Sequence, residues 1–269
     1  MNPLQQPWPQ ASDNQFDELG NYHLLDTDPA LQAALARASA DAWLPGLHSH
    51  GRTLGLADSW RLAELANRHT PELHRYDARG RRIDQVEFHP AWHRVLELYR
   101  GQGLIDRPFA GEAPGRWSAW AAGFYLHGQL EPGSLCPATM TTASIPVLRR
   151  EPALWAEVRA ALTSARHDER DAPIASKAAI WVGMGMTEKQ GGSDVRANTT
   201  TAWPLAAGGR GGAYRLRGHK WFFSVPMADA HLVVARQAAS AGDAAADMPL
   251  ACFWVPRWRP DGTRNAVQL

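Results

Sequence analysis

The chain has little sulfur and no surplus of one charge. Only Cys136 and Cys252 occur among 269 residues, far apart and outside any metal-ligand spacing. That excludes a disulfide framework and a zinc knuckle, and it fits a reduced cytoplasmic setting. Lys and Arg number 28 against 27 Asp and Glu, a net charge of +1, so no global positive field draws nucleic acid or an anionic membrane surface. No run approaches the roughly 20 apolar residues needed to cross a bilayer. The stretch from Met1 to Gln15 is rich in Pro, Gln and Asn and has neither the basic start nor the apolar core of a secretory signal. A phosphate loop ending in Gly-Lys-Ser or Gly-Lys-Thr is missing, as is any internal repeat.

What is present is ordinary for a globular protein: 45% hydrophobic and 20% charged residues, enough apolar side chain to fold. Twelve tryptophans spread from Trp8 to Trp258 suggest packing throughout rather than one aromatic box. Helical periodicity dominates the first part. Asp28 and Pro29 open a helix with Leu31, Leu35, Ala38 and Ala42 on one face, and Asp58 to Arg68 carries a second. Asp77 to Glu87 is charged, turns at Gly80 and reads as an exposed excursion. His89-Pro90 starts a helix burying Trp92, Val95, Leu96 and Tyr99. From Arg116 to Leu130 an apolar face of Trp117, Trp120, Ala121, Phe124 and Tyr125 is expected, with further helices from Pro137 to Leu148 and Pro152 to Ser164.

The period changes after Asp171. Ala178 to Met184, Thr199 to Leu205, a long Tyr214 to Ser224, Ala230 to Arg236 and Leu250 to Val255 read as strands, with a glycine-rich hairpin connection over Ala206 to Gly212. Ala238 to Asp247 is alanine-rich and is expected to form a surface loop. The fold class is therefore α+β: an all-α N-terminal domain, residues 1–175, followed by an incomplete antiparallel β domain, residues 176–269.

Two segments could carry chemistry. Gly183-Met184-Gly185 follows a strand, but Glu188 stands where a dinucleotide fingerprint needs its third glycine and no helix follows, so that reading fails. What remains is a loop in which Gly191 and Gly192 let backbone amides approach a ligand while Thr187 and Ser193 offer hydroxyls. An ordinary glycine turn capped by Ser193 and Asp194 accounts for the same residues. The second segment is Lys220-Trp221-Phe222-Phe223-Ser224, where alternation puts Trp221 and Phe223 on one strand face and Phe222 and Ser224 on the other. An aromatic ring beside a hydroxyl could cover a planar heteroaromatic ring, although an aromatic-rich strand also suits a core. His48 with His50, and His89 with His93, stand at pair spacing without a third metal ligand, and they read as surface or helix-cap histidines.

Taken together, Thr187-Glu188, Gly192-Ser193-Asp194, Gly218-His219-Lys220 and Phe222-Phe223-Ser224 resemble the paired flavin segments of acyl-CoA dehydrogenases. The wording of Pro71-Glu72-Leu73, Arg75-Tyr76-Asp77, Phe88 to His93, Gly133 to Pro137 and Gly183 to Val195 is closer to the AidB-like branch of that family, and the likeness covers most of residues 50 to 265. The resemblance implies an FAD site lined by Met184, Gly185, Met186, Thr187, Glu188, Lys189, Gln190, Gly191, Gly192 and Ser193, with Phe222, Phe223 and Ser224 along the flavin ring. It also implies that Thr187, Ser193 and Ser224 lie near an acyl-CoA substrate.

The family's reaction is α,β-dehydrogenation of an acyl-CoA thioester, and its catalytic carboxylate sits in a C-terminal helical bundle. No catalytic residue and no metal is assigned here, and the chain reads as a portion inactive by itself. The resemblance further implies a homo-oligomeric full-length form. An alkylation-response role would bind DNA only through the missing C-terminal region, and a non-catalytic remnant is the third reading.

Overall fold

The computed structural model describes residues 20–238 and 248–269. The stretch Met1 to Gln15 and nearly all of the alanine-rich loop from Ala238 lie outside them.

Seven α-helices are present among the described residues: α1 (Pro29–Arg37), α2 (Leu44–Leu54), α3 (Ala57–Arg68), α4 (Pro90–Gly101), α5 (Arg116–Leu130), α6 (Leu135–Leu148) and α7 (Pro152–Leu162). Asp28 caps α1 by accepting the Leu31 amide at 2.8 Å, with Pro29 in the first turn as the sequence suggested. His89 caps α4 in the same way, accepting the Ala91 amide at 3.1 Å.

Helix α2 escaped the sequence reading. Pro45, Gly46, His48, Ser49 and His50 give it poor intrinsic propensity, and it is held instead by burying Leu47, His50 and Leu54. His50 is thus a core residue and not the surface histidine expected. Its ring stacks 5.8 Å from that of His127, and burial drives both imidazoles toward the neutral form, to pKa values of about 3 and about 4.

The buried face of α5 also differs from the expected one. Ala119, Ala122, Gly123, Leu126 and Leu130 point inward, whereas Trp117 and Tyr125 are half exposed. Small residues win the inner face because they let neighbours approach: a Cβ at Gly123 would lie 2.5 Å from the Leu104 side chain.

The helical part is not wholly α. The charged excursion is an antiparallel hairpin of β1 (Glu72–Tyr76) and β2 (Arg82–Glu87), in register from Glu72 opposite Glu87. Its turn is closed by the Asp77 carboxylate, which accepts the Arg79 and Arg81 amides at 2.9 Å each. Both strands are largely exposed, so no apolar alternation announced them.

A five-stranded sheet follows, built from β3 (Val182–Gly185), β4 (Thr201–Pro204), β5 (Tyr214–Arg217), β6 (Ala230–Gln237) and β7 (Leu250–Pro256). The sheet is mixed rather than antiparallel. Strand β6 pairs antiparallel with β7 along one edge, while its other edge takes β3 and then β4 in parallel. The connections from β3 and from β4 to β6 are long enough to return to the same end, which parallel pairing demands.

One core runs across both parts. Tyr99, Ile145, Leu148, Val158 and Leu162 from the helices pack with Ile180, Trp181, Val182 and Leu232 from the sheet. A second cluster, including Leu24, Leu47, Leu54 and Leu126, is confined to the N-terminal helical part and the turn before α1.

The start of β3 is pinned to the helices. The Val182 amide donates to Thr141 Oγ1 at 3.1 Å, the Ile180 amide to the Ala161 carbonyl at 3.1 Å, and the fully buried Arg100 donates to the Ile180 carbonyl while its guanidinium lies 4.1 Å from the Trp181 ring. The loop that leaves β3 therefore starts from an anchored strand.

Candidate functional site

The loop after β3 and the segment after β5 are brought together, and Glu188 is the residue that joins them. Its Oε2 accepts from the Thr199 amide at 2.7 Å, the Thr199 hydroxyl at 2.8 Å and Gln190 Nε2 at 2.8 Å. Its Oε1 accepts from the Thr200 amide at 2.9 Å, the Thr200 hydroxyl at 2.5 Å and Lys220 Nζ at 2.9 Å.

Glu188 is 2% exposed, so burial by itself would raise its pKa. The donors, led by the Thr200 hydroxyl and the Thr199 amide, outweigh that and hold the carboxyl far below the usual range. A carboxylate that accepts from every side is a tie, not an acid or base for a ligand.

Around this tie the loop is a tight turn. The Glu188 and Gly191 amides donate to each other's carbonyls at 3.1 and 3.0 Å, and Asn198 Nδ2 donates to the Met186 carbonyl at 3.1 Å. Gly192 has to be glycine because a Cβ there would stand 2.8 Å from Thr187 Oγ1. The glycine-turn reading of the sequence is correct as local geometry, but its capping side chain is Glu188.

The aromatic segment departs from expectation. Strand β5 ends at Arg217, and Gly218 to Ser224 is irregular, so strand alternation does not order its side chains. Phe222 adopts φ 54° and Val225 φ 57°, left-handed conformations that break any ladder. The Trp221 amide donates to the Thr187 carbonyl at 3.0 Å, which lays the segment along the loop.

As a result Phe223 turns inward and Phe222 outward. The Phe223 ring covers the glycines of β3: a Cβ on Gly185 would lie 2.3 Å from it, and one on Gly183 would lie 3.4 Å away. Phe222 is 88% exposed, with Trp221 and Met186 also open to solvent at 51% and 53%.

Each residue named from the sequence has a place. Met184 packs on the shared core, Gly185 lies under Phe223 and Glu188 is the buried tie. Met186, Lys189, Gln190, Gly192, Ser193, Phe222 and Ser224 are exposed, while Thr187 and Gly191 are half-buried. Thr199 and Thr200, which organise the loop through Glu188, and Asn198, which holds it at the Met186 carbonyl, were missed. Nothing in Asn-Thr-Thr distinguishes them before the fold brings them to the loop.

Behind Lys220 and Phe223 a concavity of about 660 Å³ opens, bordered by Thr200, Leu216, His231 and Val255. Burial lowers the His231 pKa to about 4, and its Nε2–H donates to the Pro226 carbonyl at 3.0 Å, so the imidazole is neutral and its ring is held.

Comparison with known proteins identifies the family. Residues 14–169 match the adaptive response protein AidB N-terminal domain, and residues 183–266 match the acyl-CoA dehydrogenase middle domain. The protein belongs to the acyl-CoA dehydrogenase family, in its AidB-like branch.

AidB of Escherichia coli (strain K12) is 46% identical over 258 residues, covering 95% of this chain and 45% of AidB. Acyl-CoA dehydrogenase family member 11 of Caenorhabditis elegans is 29% identical over 212 residues, covering 78% of this chain and 33% of that protein. The chain thus spans less than half the length of either relative. Among solved structures, Bd2924 in its apo form superposes with a TM-score of 0.79 at 24% identity, over 94% of this chain and 49% of that one. Caenorhabditis elegans ACDH-11, in complex with C11-CoA, gives 0.75 at 24% identity, over 97% of this chain and 44% of that one. At these identities the likeness shows the fold. No helix among the described residues is long and apolar enough to cross a membrane.

Proposed function

We propose that this chain supplies the flavin-facing and acyl-CoA-facing part of an FAD-dependent, AidB-like acyl-CoA dehydrogenase. The observation that carries the reading is the exposed apolar face of Met186, Trp221 and Phe222 beside a glycine turn, held there by the Glu188–Lys220 pair and by the Trp221-to-Thr187 backbone bond. Soluble proteins rarely leave large aromatics so exposed on a loop that the rest of the fold holds rigidly, unless a ligand or partner covers them. A planar, polar-edged ring system fits such a face: the aromatics take its flat surface, and the hydroxyls of Thr187, Ser193 and Ser224 and the amide of Gly192 meet its rim, while the Gly191 amide stays within the turn.

A bound FAD would supply the hydride-accepting ring for α,β-dehydrogenation of an acyl-CoA thioester. The chain's own residues orient and exclude water. Phe223, seated on Gly183 and Gly185, sets the height of the aromatic segment over the strand, and Glu188 sets the turn. Glu188 itself does not serve as the proton-abstracting carboxylate, because both its oxygens are taken by donors and the thioester would have to displace them.

Titration of FAD into the purified protein, followed by flavin fluorescence and by the yellow colour retained through gel filtration, tests the reading. Phe222→Ala is expected to weaken binding by about 2- to 10-fold, the worth of one aromatic stacking contact. Wild-type protein that retains no flavin, or a Phe222→Ala variant that binds equally well, overturns it.

A further inference from the structure

We propose that His23, Asp26 and His48, remote in sequence from the flavin-loop residues, form a binding site for a single Zn²⁺ ion. The sequence offers His48 no third ligand, because its partners come from a different segment. His23 and Asp26 sit in the turn that precedes α1, and His48 lies on α2. One ligand atom from each residue falls within 4.8 Å of the other two.

The separations suit a metal better than they suit three unrelated side chains. His48 Nδ1 lies 2.9 Å and His23 Nδ1 lies 3.6 Å from Asp26 Oδ1. Four ligands placed tetrahedrally about 2.0–2.1 Å from zinc stand roughly 3.3 Å apart, and the two distances bracket that edge. The ligand set of two imidazoles and a carboxylate is one that zinc takes with a water in the fourth position. Room for that water exists, since Asp26 and His48 are 53% and 43% exposed.

The turn is held in place before any ion arrives. The Tyr22 amide donates to the Gly55 carbonyl at 3.2 Å and the Leu24 amide to the Gly51 carbonyl at 3.3 Å, so the turn lies flat on α2. The first contact needs glycine, since a Cβ on Gly55 would lie 1.6 Å from the Tyr22 carbonyl oxygen, and the second is close, with a Cβ on Gly51 standing 3.0 Å from the Leu25 nitrogen. Leu24 and Leu25 are buried beneath, which locks His23 and Asp26 to the helix that carries His48.

The tautomer is also suitable. The Asp26 amide donates to His23 Nδ1 at 3.2 Å, which places the ring proton on Nε2 and leaves the Nδ1 lone pair on the side facing Asp26 and His48. That hydrogen bond is long and exposed, so an ion can replace it and leave the amide to water. The competing account is a half-exposed Asp26–His48 ion pair with His23 nearby, and the two accounts differ in what a metal titration shows.

Zn²⁺ is titrated calorimetrically into the metal-free protein, and Co²⁺ is used as a spectroscopic probe for visible absorption. Saturable one-to-one binding of Zn²⁺ with a Kd on the order of 1 µM is expected, weaker than four-ligand structural sites, with a Co²⁺ band characteristic of low coordination. His48→Ala is expected to weaken binding by at least about 100-fold, more than outer-shell changes do, and to abolish the Co²⁺ band. Asp26→Asn keeps the side-chain shape and is expected to act in the same direction, which guards against a folding defect in the first variant. His74→Ala removes another exposed imidazole that contacts a carboxylate, at 2.9 Å from Glu87, and should leave binding unchanged. Absence of saturable binding to the wild type, or binding by His48→Ala as tight as the wild type's, overturns the proposal.

Discussion

Strand β3 is held at both ends by a lysine–carboxylate pair taken out of water, and the two pairs are built differently. At its entrance Asp229 accepts from Lys177 Nζ at 2.5 Å and from the Trp181 amide at 2.8 Å. At its exit Glu188 accepts from Lys220 and from five further donors on Gln190, Thr199 and Thr200. Burial dominates at Asp229 and raises its pKa in spite of the lysine, whereas the donors dominate at Glu188 and lower it. The contrast teaches that a lysine neighbour does not by itself make a buried carboxylate comfortable; the balance between desolvation and the hydrogen bonds to its oxygens decides. The poorer pair sits in the shared core, where packing supports it. The richer pair sits under the loop, where there is little else to hold the chain.

The comparison breaks most easily by truncation. Glu188→Ala strands Lys220, which is 8% exposed at its side chain, together with the amides of Thr199 and Thr200. A loss of about 4 kcal/mol is expected, within the range for an orphaned buried charge. Asp229→Ala strands Lys177 and one amide and is expected to cost less, about 3 kcal/mol. Urea unfolding of the two variants gives the order directly, and the reverse order would show that donor number is not the controlling quantity. Amide exchange should separate them as well: the first variant is expected to free residues 186–193, the second residues 180–182 at the head of β3.

Gly185→Ala probes the same exit from its other side. A methyl group there would meet the Phe223 ring at 2.3 Å, and the ring has the anchored strand beneath it, so it must shift outward and take the aromatic segment with it. A cost of about 2 kcal/mol is expected, that of modest overpacking. Gly191→Ala is the matched control, since no atom stands within 4 Å of its Cβ position, and its midpoint should stay close to the wild type's. Flavin titration of the Gly185 variant sharpens the point: weakened binding with a largely intact fold would mean that Phe223 sets the height of the face on which Phe222 stands.

Much of this organisation was legible before the fold. The caps at Asp28 and His89 and the change of period after Asp171 are local signals, written in residues near one another in sequence, whereas the conjunction of the two segments around Thr187 and Phe222 was legible only through the family resemblance. Other features depend on distant partners. Helix α2 has weak propensity and exists because Leu47 and Leu54 find the helical core. The inner face of α5 is the small-residue face because Leu104 must fit against Gly123, a contact no helical wheel contains. The mixed sheet arises because β6 accepts β3 and β4 along one edge, a choice of neighbour invisible in alternation. Phe222 and Phe223 were assigned to strand faces, and left-handed φ at Phe222 removed those faces. Glu188 was readable as a loop carboxylate, but not as the point where three segments meet.

The smallest expected effect is also the one whose sign tests the comparison most directly. Glu188 has a folded pKa below its ordinary value of 4.5, so its contribution to stability is complete well above that value, starts to decline as the pH falls past it and is lost as the pH falls through the folded pKa. Asp229 has a folded pKa above its ordinary value of 3.8, so its contribution has the opposite sense: complete below that value and lost as the pH rises through the folded pKa. Between pH 7 and pH 4 the unfolded chain begins to protonate its Glu188 while the folded chain does not, which costs the folded state about 1 kcal/mol. Glu188→Gln removes that loss and is expected to flatten the acid side of the stability profile. Asp229→Asn removes a gain on acidification and is expected to steepen it. Urea unfolding at pH 7, 5 and 4 reads both slopes. If the two substitutions moved the slope in the same direction, the two ends of β3 would be governed by one balance of burial and donors rather than two.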